Sequence, residues 1–313
     1  MLEKVRNLGI ILVFLALVVI LSISSSTFLS TRNAANILEQ SAILLIFAST
    51  LTVSIIAGIF DLSVAAMATT CAIFTVIAIN FAGMVLGLIL SLIFGMLLGY
   101  LNGIGIVFSK INAFIGTLAT SFIFRGLGLI FCHGGLVSLK NRNIGTTLDG
   151  FFEGRFLGVK GLAWVAIIFV IIVGILLSKT TWGKYVYAVG GNMQAASLSG
   201  IRTKLIMISC FVLSGLGAAI AGIIYVAQYS SGATNAYSDN LNFTAIAAPV
   251  VGGVSIFGGE GAIWRGGLGV LTFALISNGL NLLGVDTTYQ LTVLGILIFA
   301  AVVADQVFRR DRK

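Results

Sequence analysis

Charge is scarce in this chain. Asp, Glu, Lys and Arg make up 9% of its 313 residues, where a soluble domain carries about 25%. With 58% hydrophobic residues and a mean hydropathy of +1.12, a fold in water would have to bury more apolar surface than its interior holds. A bilayer removes the difficulty, because lipid solvates apolar side chains directly. Histidine occurs once, at His133, and the three cysteines, Cys71, Cys132 and Cys210, lie in apolar stretches with no CxxC or Cys/His spacing. A zinc site needs about four such ligands, so neither a metal centre nor a disulfide framework finds support. There is no Walker A sequence, no GxGxxG and no HExxH: Gly183-Lys184 has no upstream glycine and is followed by Tyr185. A lone histidine leaves a serine or cysteine nucleophile without a base. The chain is therefore read as a non-enzyme that binds no cofactor and has no means of hydrolysing ATP. Ionisable residues within or beside the apolar runs are few, namely Arg125, Asp61, Glu39 and Asp305. That is a thin set for a proton relay.

Apolar runs are what the chain has. Ten stretches approach the 20 residues that a span requires, near 8–28, 38–57, 61–80, 83–107, 112–132, 162–178, 205–227, 242–257, 265–283 and 289–305. The first follows Lys4 and Arg6, but no small-x-small cleavage site succeeds it cleanly, so it reads as an uncleaved anchor rather than a signal peptide. The stretch near 242–257 is short and glycine-rich, open to being broken or re-entrant. With ten spans, 12 basic residues fall on the side of the N-terminus and 5 on the other, with Arg125 inside a span. The positive-inside rule then places both termini in the cytoplasm. The same bias accounts for the +8 net charge, and no aromatic-basic interleaving suggests nucleic acid. The expected fold is an all-α polytopic membrane bundle of about ten helices, with residues 1–313 forming one domain. Proline occurs once, at Pro249, and the 38 glycines fit close helix packing in lipid.

Three loops stand out: 133–161 and 228–241 on the outside, and 179–204 on the cytoplasmic side. In the last, Gly190-Gly191-Asn192 signals a turn. MQAASLSGI then reads as a short amphipathic helix that Asn192 caps. It is either an ordinary surface helix or a docking element for a cytoplasmic partner. Asn80, Asn102, Asn112, Thr117, Thr120, Asn278 and Asn281 lie in or beside spans and need a partner helix or water. They serve either helix packing or the lining of a path for a polar, uncharged solute. A weak internal echo links 54–68 (SIIAGIFDLSVAAMA) with 250–264 (VVGGVSIFGGEGAIW).

Four segments in order resemble the ribose-type, binding-protein-dependent permeases of ABC transporters. WGKYVYAVGGNMQAASLSGI (182–201) resembles the pattern (F/W)GR-x-(V/I)-YA-(I/V)-GGN-xx-AA-xx-SGI. GIFDLSVAAMA (58–68) is similar to the family's DLSVG segment, and NAFIGTLATSFIFRGL (112–127) to its P-x-FI-x-TLG…RG segment. AAPVVGGVSIFGGEGAIWRGGLGV (247–270) is similar to its GG-x-S-xx-GG-x-G segment. Ala65, Ala119 and Ala113 replace two usual glycines and a usual proline, and Glu260 sits where a basic or small residue is common. The resemblance implies a dimer of membrane subunits, identical or not. Two cytoplasmic ATP-binding subunits, which hold ATP and Mg, would dock on 182–201. An extracytoplasmic binding protein would deliver a sugar at the bacterial inner membrane. It implies that Gly191, Asn192, Ala195, Ala196 and Gly200 form the coupling helix, the small residues seating it in a groove. Asp61 and Ser63 would hold a helix junction, Asp61 by capping. Thr117, Arg125 and Asn278 would border the path or a junction. Gly258, Gly259 and Gly261 would permit a tight cytoplasmic turn. Related machines move branched-chain amino acids or nucleosides, and an ion-coupled secondary transporter or a membrane scaffold would explain the apolar spans without the ATPase.

Overall fold

The computed structural model describes residues 2–286 and seven further positions between 289 and 299. In chain order the elements are α1 (Leu2–Ser24), α2 (Thr31–Ile56), α3 (Val64–Ala82), α4 (Met84–Ser109), α5 (Ala113–Phe131), β1 (Leu136–Ser138), α6 (Arg142–Phe152), β2 (Arg155–Phe156), β3 (Val159–Lys160), α7 (Gly161–Lys179), α8 (Thr181–Gly191), α9 (Met193–Leu198), α10 (Thr203–Tyr229), β4 (Ser231–Ala233), α11 (Asp239–Val251) and α12 (Ile263–Leu282). Six of these, α2, α3, α4, α5, α7 and α10, are long and apolar enough to cross a membrane. Helix α12 has the length but carries Arg265, Asn278 and Asn281.

The bundle is layered. Helices α2 and α3 are sheathed nearly all round, burying Phe47, Leu51, Ile55, Met67 and Ile73. Helices α4, α5 and α7 turn one face outward, where Val85, Ile89, Ile93, Phe122, Ile123, Ile168 and Ile175 stand exposed. In water that surface would drive aggregation; in lipid it is the natural outer face.

Helix α4 carries buried small residues at every fourth position, Gly87, Ser91, Gly95, Gly99 and Gly103; Gly87 backs onto Ile79 of α3, and Gly95, Gly99 and Gly103 back onto α10. A Cβ on Gly95 would strike the Gly215 carbonyl, and one on Gly99 the Phe211 carbonyl, so backbone lies directly on backbone. Lipid offers no hydrophobic drive between helices, and this closeness supplies dispersion contact instead.

Two places depart from the ten-span reading. The stretch expected near 242–257 is the 13-residue helix α11, about 20 Å long, against a hydrocarbon core of about 30 Å. The stretch expected at 61–80 becomes helical only at Val64, leaving 57–63 as a non-helical junction. Of the tenth expected span, 289–305, seven positions are among the described residues and the rest lie outside them. The loop 133–161, expected on the outside, is not plain coil. It folds as α6 with two small antiparallel pairs, β1 with β4 and β2 with β3.

Candidate coupling face and buried junction

Helices α8 and α9 form a bent arm at one end of the bundle. Asn192 ends the first and begins the second: its backbone is extended, and its side chain accepts from the Ala195 N–H at 3.0 Å. This is the cap expected from GGN. The far end of α9 closes with Ile201 N–H on the Ala196 carbonyl and Gly200 N–H on the Ser197 carbonyl, 3.1 and 3.0 Å. Gly200 adopts φ +83°, the left-handed residue that such a closure requires. Helix termination by itself calls for a glycine here. Ala196 faces the protein body and is buried, whereas Met193 and Leu198 point outward, Leu198 at 91% exposure. The outward face of α9 is therefore built on Met193, Ala195 and Leu198, with Gly191 and Asn192 at its root.

Backbone contacts weld this arm to the bundle. A Cβ on Gly190 would run into the Ile56 carbonyl, and one on Gly259 would lie 2.7 Å from the Gly191 Cα. The Gly259 N–H donates to that same Ile56 carbonyl at 2.8 Å. Gly258 and Gly259 take φ +82° and +73°, so the expected tight turn forms and only glycine enters it without strain. Tyr187 donates its hydroxyl to the Gly261 carbonyl at 2.8 Å. The end of α2, the end of α8 and the 252–262 turn thus meet with almost no side chain between them.

From Ile56 the chain passes straight into the junction. Asp61 Oδ1 accepts from the Ser63 N–H at 2.9 Å and from the Ser63 hydroxyl at 2.6 Å. Ser63, rather than Asp61, is the N-cap residue of α3; the aspartate folds the turn two residues earlier. Thr117 of α5 clamps it from the side: its hydroxyl accepts from Leu62 N–H at 3.0 Å and lies 3.2 Å from the Phe60 carbonyl. Asn102 of α4 donates to the Ser63 hydroxyl at 2.9 Å, and Asn242 of α11 donates to the Leu62 carbonyl at 2.6 Å. Asn102 lies seven residues before the end of α4, so the junction sits about 10 Å inside the bundle. Non-helical backbone at such depth is tolerated only where protein encloses it, and Asp61 and Ser63 are fully buried.

The remaining expected residues lie elsewhere. Asn278 exchanges two hydrogen bonds with Asn33, 3.0 and 2.8 Å, tying α12 to α2. Arg125 is half-buried on α5, with its guanidinium 3.4 Å from the Tyr237 carbonyl. Asn242 was not singled out by sequence reasoning. Its signal is faint: a polar residue one turn inside a helix too short to span.

At the opposite end, Glu39 pairs with Arg155 at 2.8 Å, and Lys160 reaches both Glu39 and Glu153. Gln228 also donates to Glu153, at 2.9 Å. Partial burial pushes the Glu153 carboxyl up. The hydrogen bonds from Lys160 and Gln228, with the charges of Lys160 and Arg155, outweigh that and hold it below its ordinary value.

An all-α bundle with lipid-facing helices, interrupted segments and a welded surface arm defines a polytopic membrane permease. A family model described as "Branched-chain amino acid transport system / permease component" matches residues 33–302, and the chain belongs to that family. It is 39% identical over 302 residues to the ribose import permease protein RbsC of Bacillus subtilis, covering 96% of this chain and 93% of the relative. To RbsC of Escherichia coli K12 it is 34% identical, covering 94% and 92%. To the L-arabinose ABC transporter permease protein AraH of Azospirillum brasilense it is 34% identical, covering 99% and 91%. No solved structure matches. The resemblance read from the four motifs is borne out, and the chain is a multi-pass protein of the bacterial inner membrane.

Proposed function

We propose that this chain is the membrane-spanning subunit of an ATP-driven importer for a monosaccharide. The observation that carries the mechanism is the α8–α9 arm: a short helix capped at both ends, presenting Leu198 to solvent and joined by bare backbone to the end of α2. An apolar side chain that exposed, outside the lipid-facing surface, suits a partner's groove. The partner is an ATP-binding subunit, two of them serving a dimer of membrane subunits, with ATP and Mg held there. A binding protein presents the sugar at the α6 end. The chain crosses the membrane ten times, the short α11 forming part of one interrupted crossing, with both termini in the cytoplasm on the side of α9.

Movement of the ATP-binding subunits displaces α9. Helix α8 follows as a lever, because Gly190 and Gly191 leave no slack against Ile56 and Gly259. The push arrives at α2 and at the 252–262 turn together. From there it passes to the 57–63 junction and to α11, the two interrupted segments. Interrupted helices are where backbone can re-angle without unwinding a full span.

Reconstitution tests this. Proteoliposomes holding the chain, its ATP-binding partner and its binding protein should take up ribose or arabinose only with ATP inside. Uptake by the chain alone, driven by an ion gradient, would replace this reading with a secondary transporter. The description of the matched family favours one other cargo, a branched-chain amino acid; uptake of leucine in place of either sugar would select it.

A further inference from the structure

The buried junction carries three oxygen atoms with no hydrogen-bond partner: Asp61 Oδ2, Asn102 Oδ1 and Asn242 Oδ1. All three side chains are at least 98% buried. Their side chains are held at two consecutive residues, since Asn102 and Asp61 bond Ser63 and Asn242 bonds the Leu62 carbonyl. The bonding fixes which atoms face away. A backbone carbonyl only accepts, so Asn242 must turn its NH2 to Leu62 and leave its oxygen free. The single proton of the Ser63 hydroxyl goes to Asp61, so Asn102 must likewise donate and leave its oxygen free. Ser214 of α10 approaches the same carboxyl, its hydroxyl 3.5 Å from that of Ser54. Among the described residues no lysine or arginine pairs with Asp61.

We propose that Asp61, Asn102 and Asn242 form a binding site for a monovalent cation of the sodium or potassium class. A proton or a water alone leaves at least one of the three acceptors unmet, and only the two together would match what one cation does. A proton on Asp61 turns one acceptor into a donor and satisfies one amide oxygen, leaving the other. A single water donates twice. A hard cation takes any number of oxygens and also compensates the buried carboxylate. One carboxylate with two neutral amides balances one positive charge and leaves a divalent ion undercompensated. Interrupted helices with freed polar groups are a setting in which alkali cations bind in membrane bundles. Here the ion would pin the 57–63 junction to α4 and α11. This holds whether or not the sugar and ATP assignments do.

The test is thermal unfolding of the full-length chain in mild detergent, titrated with NaCl or KCl against choline chloride at constant ionic strength. A saturable rise in Tm with either alkali cation and none with choline is expected. Asp61→Asn should abolish the rise. Asn242→Ala, which removes one ligand oxygen and keeps the carboxylate, should raise the half-saturating concentration by about tenfold. Should Asp61→Asn fail to fold, Asn242→Ala decides. Equal Tm values in all three salts for the unmodified chain, or a half-saturation that Asn242→Ala leaves unchanged, would overturn the site.

Discussion

The two ends of the bundle are built in opposite ways. At the α6 end, cohesion comes from charged side chains: Glu39, Glu153, Arg155 and Lys160, with Gln228 added. At the α8–α9 end it comes from backbone: Gly190 against Ile56, Gly258 against Gly190 and Gly58, and Gly259 against Gly191. These pairs reach solvent through Arg155 and Lys160; ion pairs open to water are worth about 0–1 kcal/mol each and are screened by salt, so the first end can be undone piecemeal. Backbone in van der Waals contact cannot yield without moving a whole helix. The first construction suits a surface that must meet and release a soluble partner. The second suits a surface that must hand on a displacement undiminished.

The contrast predicts a graded series. Gly190→Val should be the most damaging change, because its side chain must enter the space of the Ile56 carbonyl. Overpacking of this kind costs about 3 kcal/mol or more, and the loss should appear as a lower Tm in detergent together with lost uptake. Thr117→Val comes next. It removes the hydroxyl that accepts from the buried Leu62 N–H, for about 1–3 kcal/mol of destabilisation, read from the same melt.

Glu153→Gln should fall below about 1 kcal/mol. Its pH dependence is the sharper readout. A carboxyl held below its ordinary value contributes stability above the usual glutamate pKa of about 4.3. That stability is lost as pH falls through the lowered folded value. The Tm gap between the native chain and Glu153→Gln should therefore be open at neutral pH and closed in acid. Leu198→Asp is last in stability, within roughly 0.5 kcal/mol of the native chain, yet ATP-driven uptake should be lost.

Much of this was legible beforehand. Long apolar runs marked most helices, and GGN marked the α8–α9 bend, because capping is local chemistry. The four motifs marked the family. The four-residue spacing of Gly95, Gly99 and Gly103 was equally open to inspection, but the glycines were read only in bulk, as a sign of close helix packing. What could not be read was depth. Whether Asp61 lies at a membrane surface or about 10 Å inside depends on where α4 ends relative to it, a tertiary fact. The same holds for Ala196 and Leu198: both sit on a six-residue helix, and only the packing of α8 decides which one faces out. The two segments of the weak echo, 54–68 and 250–264, meet in the structure, where the Ile56 carbonyl accepts from the Gly259 N–H.

The measurement that bears most directly on the account is photo-cross-linking from α9. The three native cysteines are buried, so Leu198→Cys gives a thiol to which a benzophenone label can be attached in native membranes. The account predicts an adduct with a Walker-containing ATP-binding protein, altered in yield by ATP. A label at position 198 that captures no ATP-binding protein, in membranes where ATP-driven uptake persists, would contradict it.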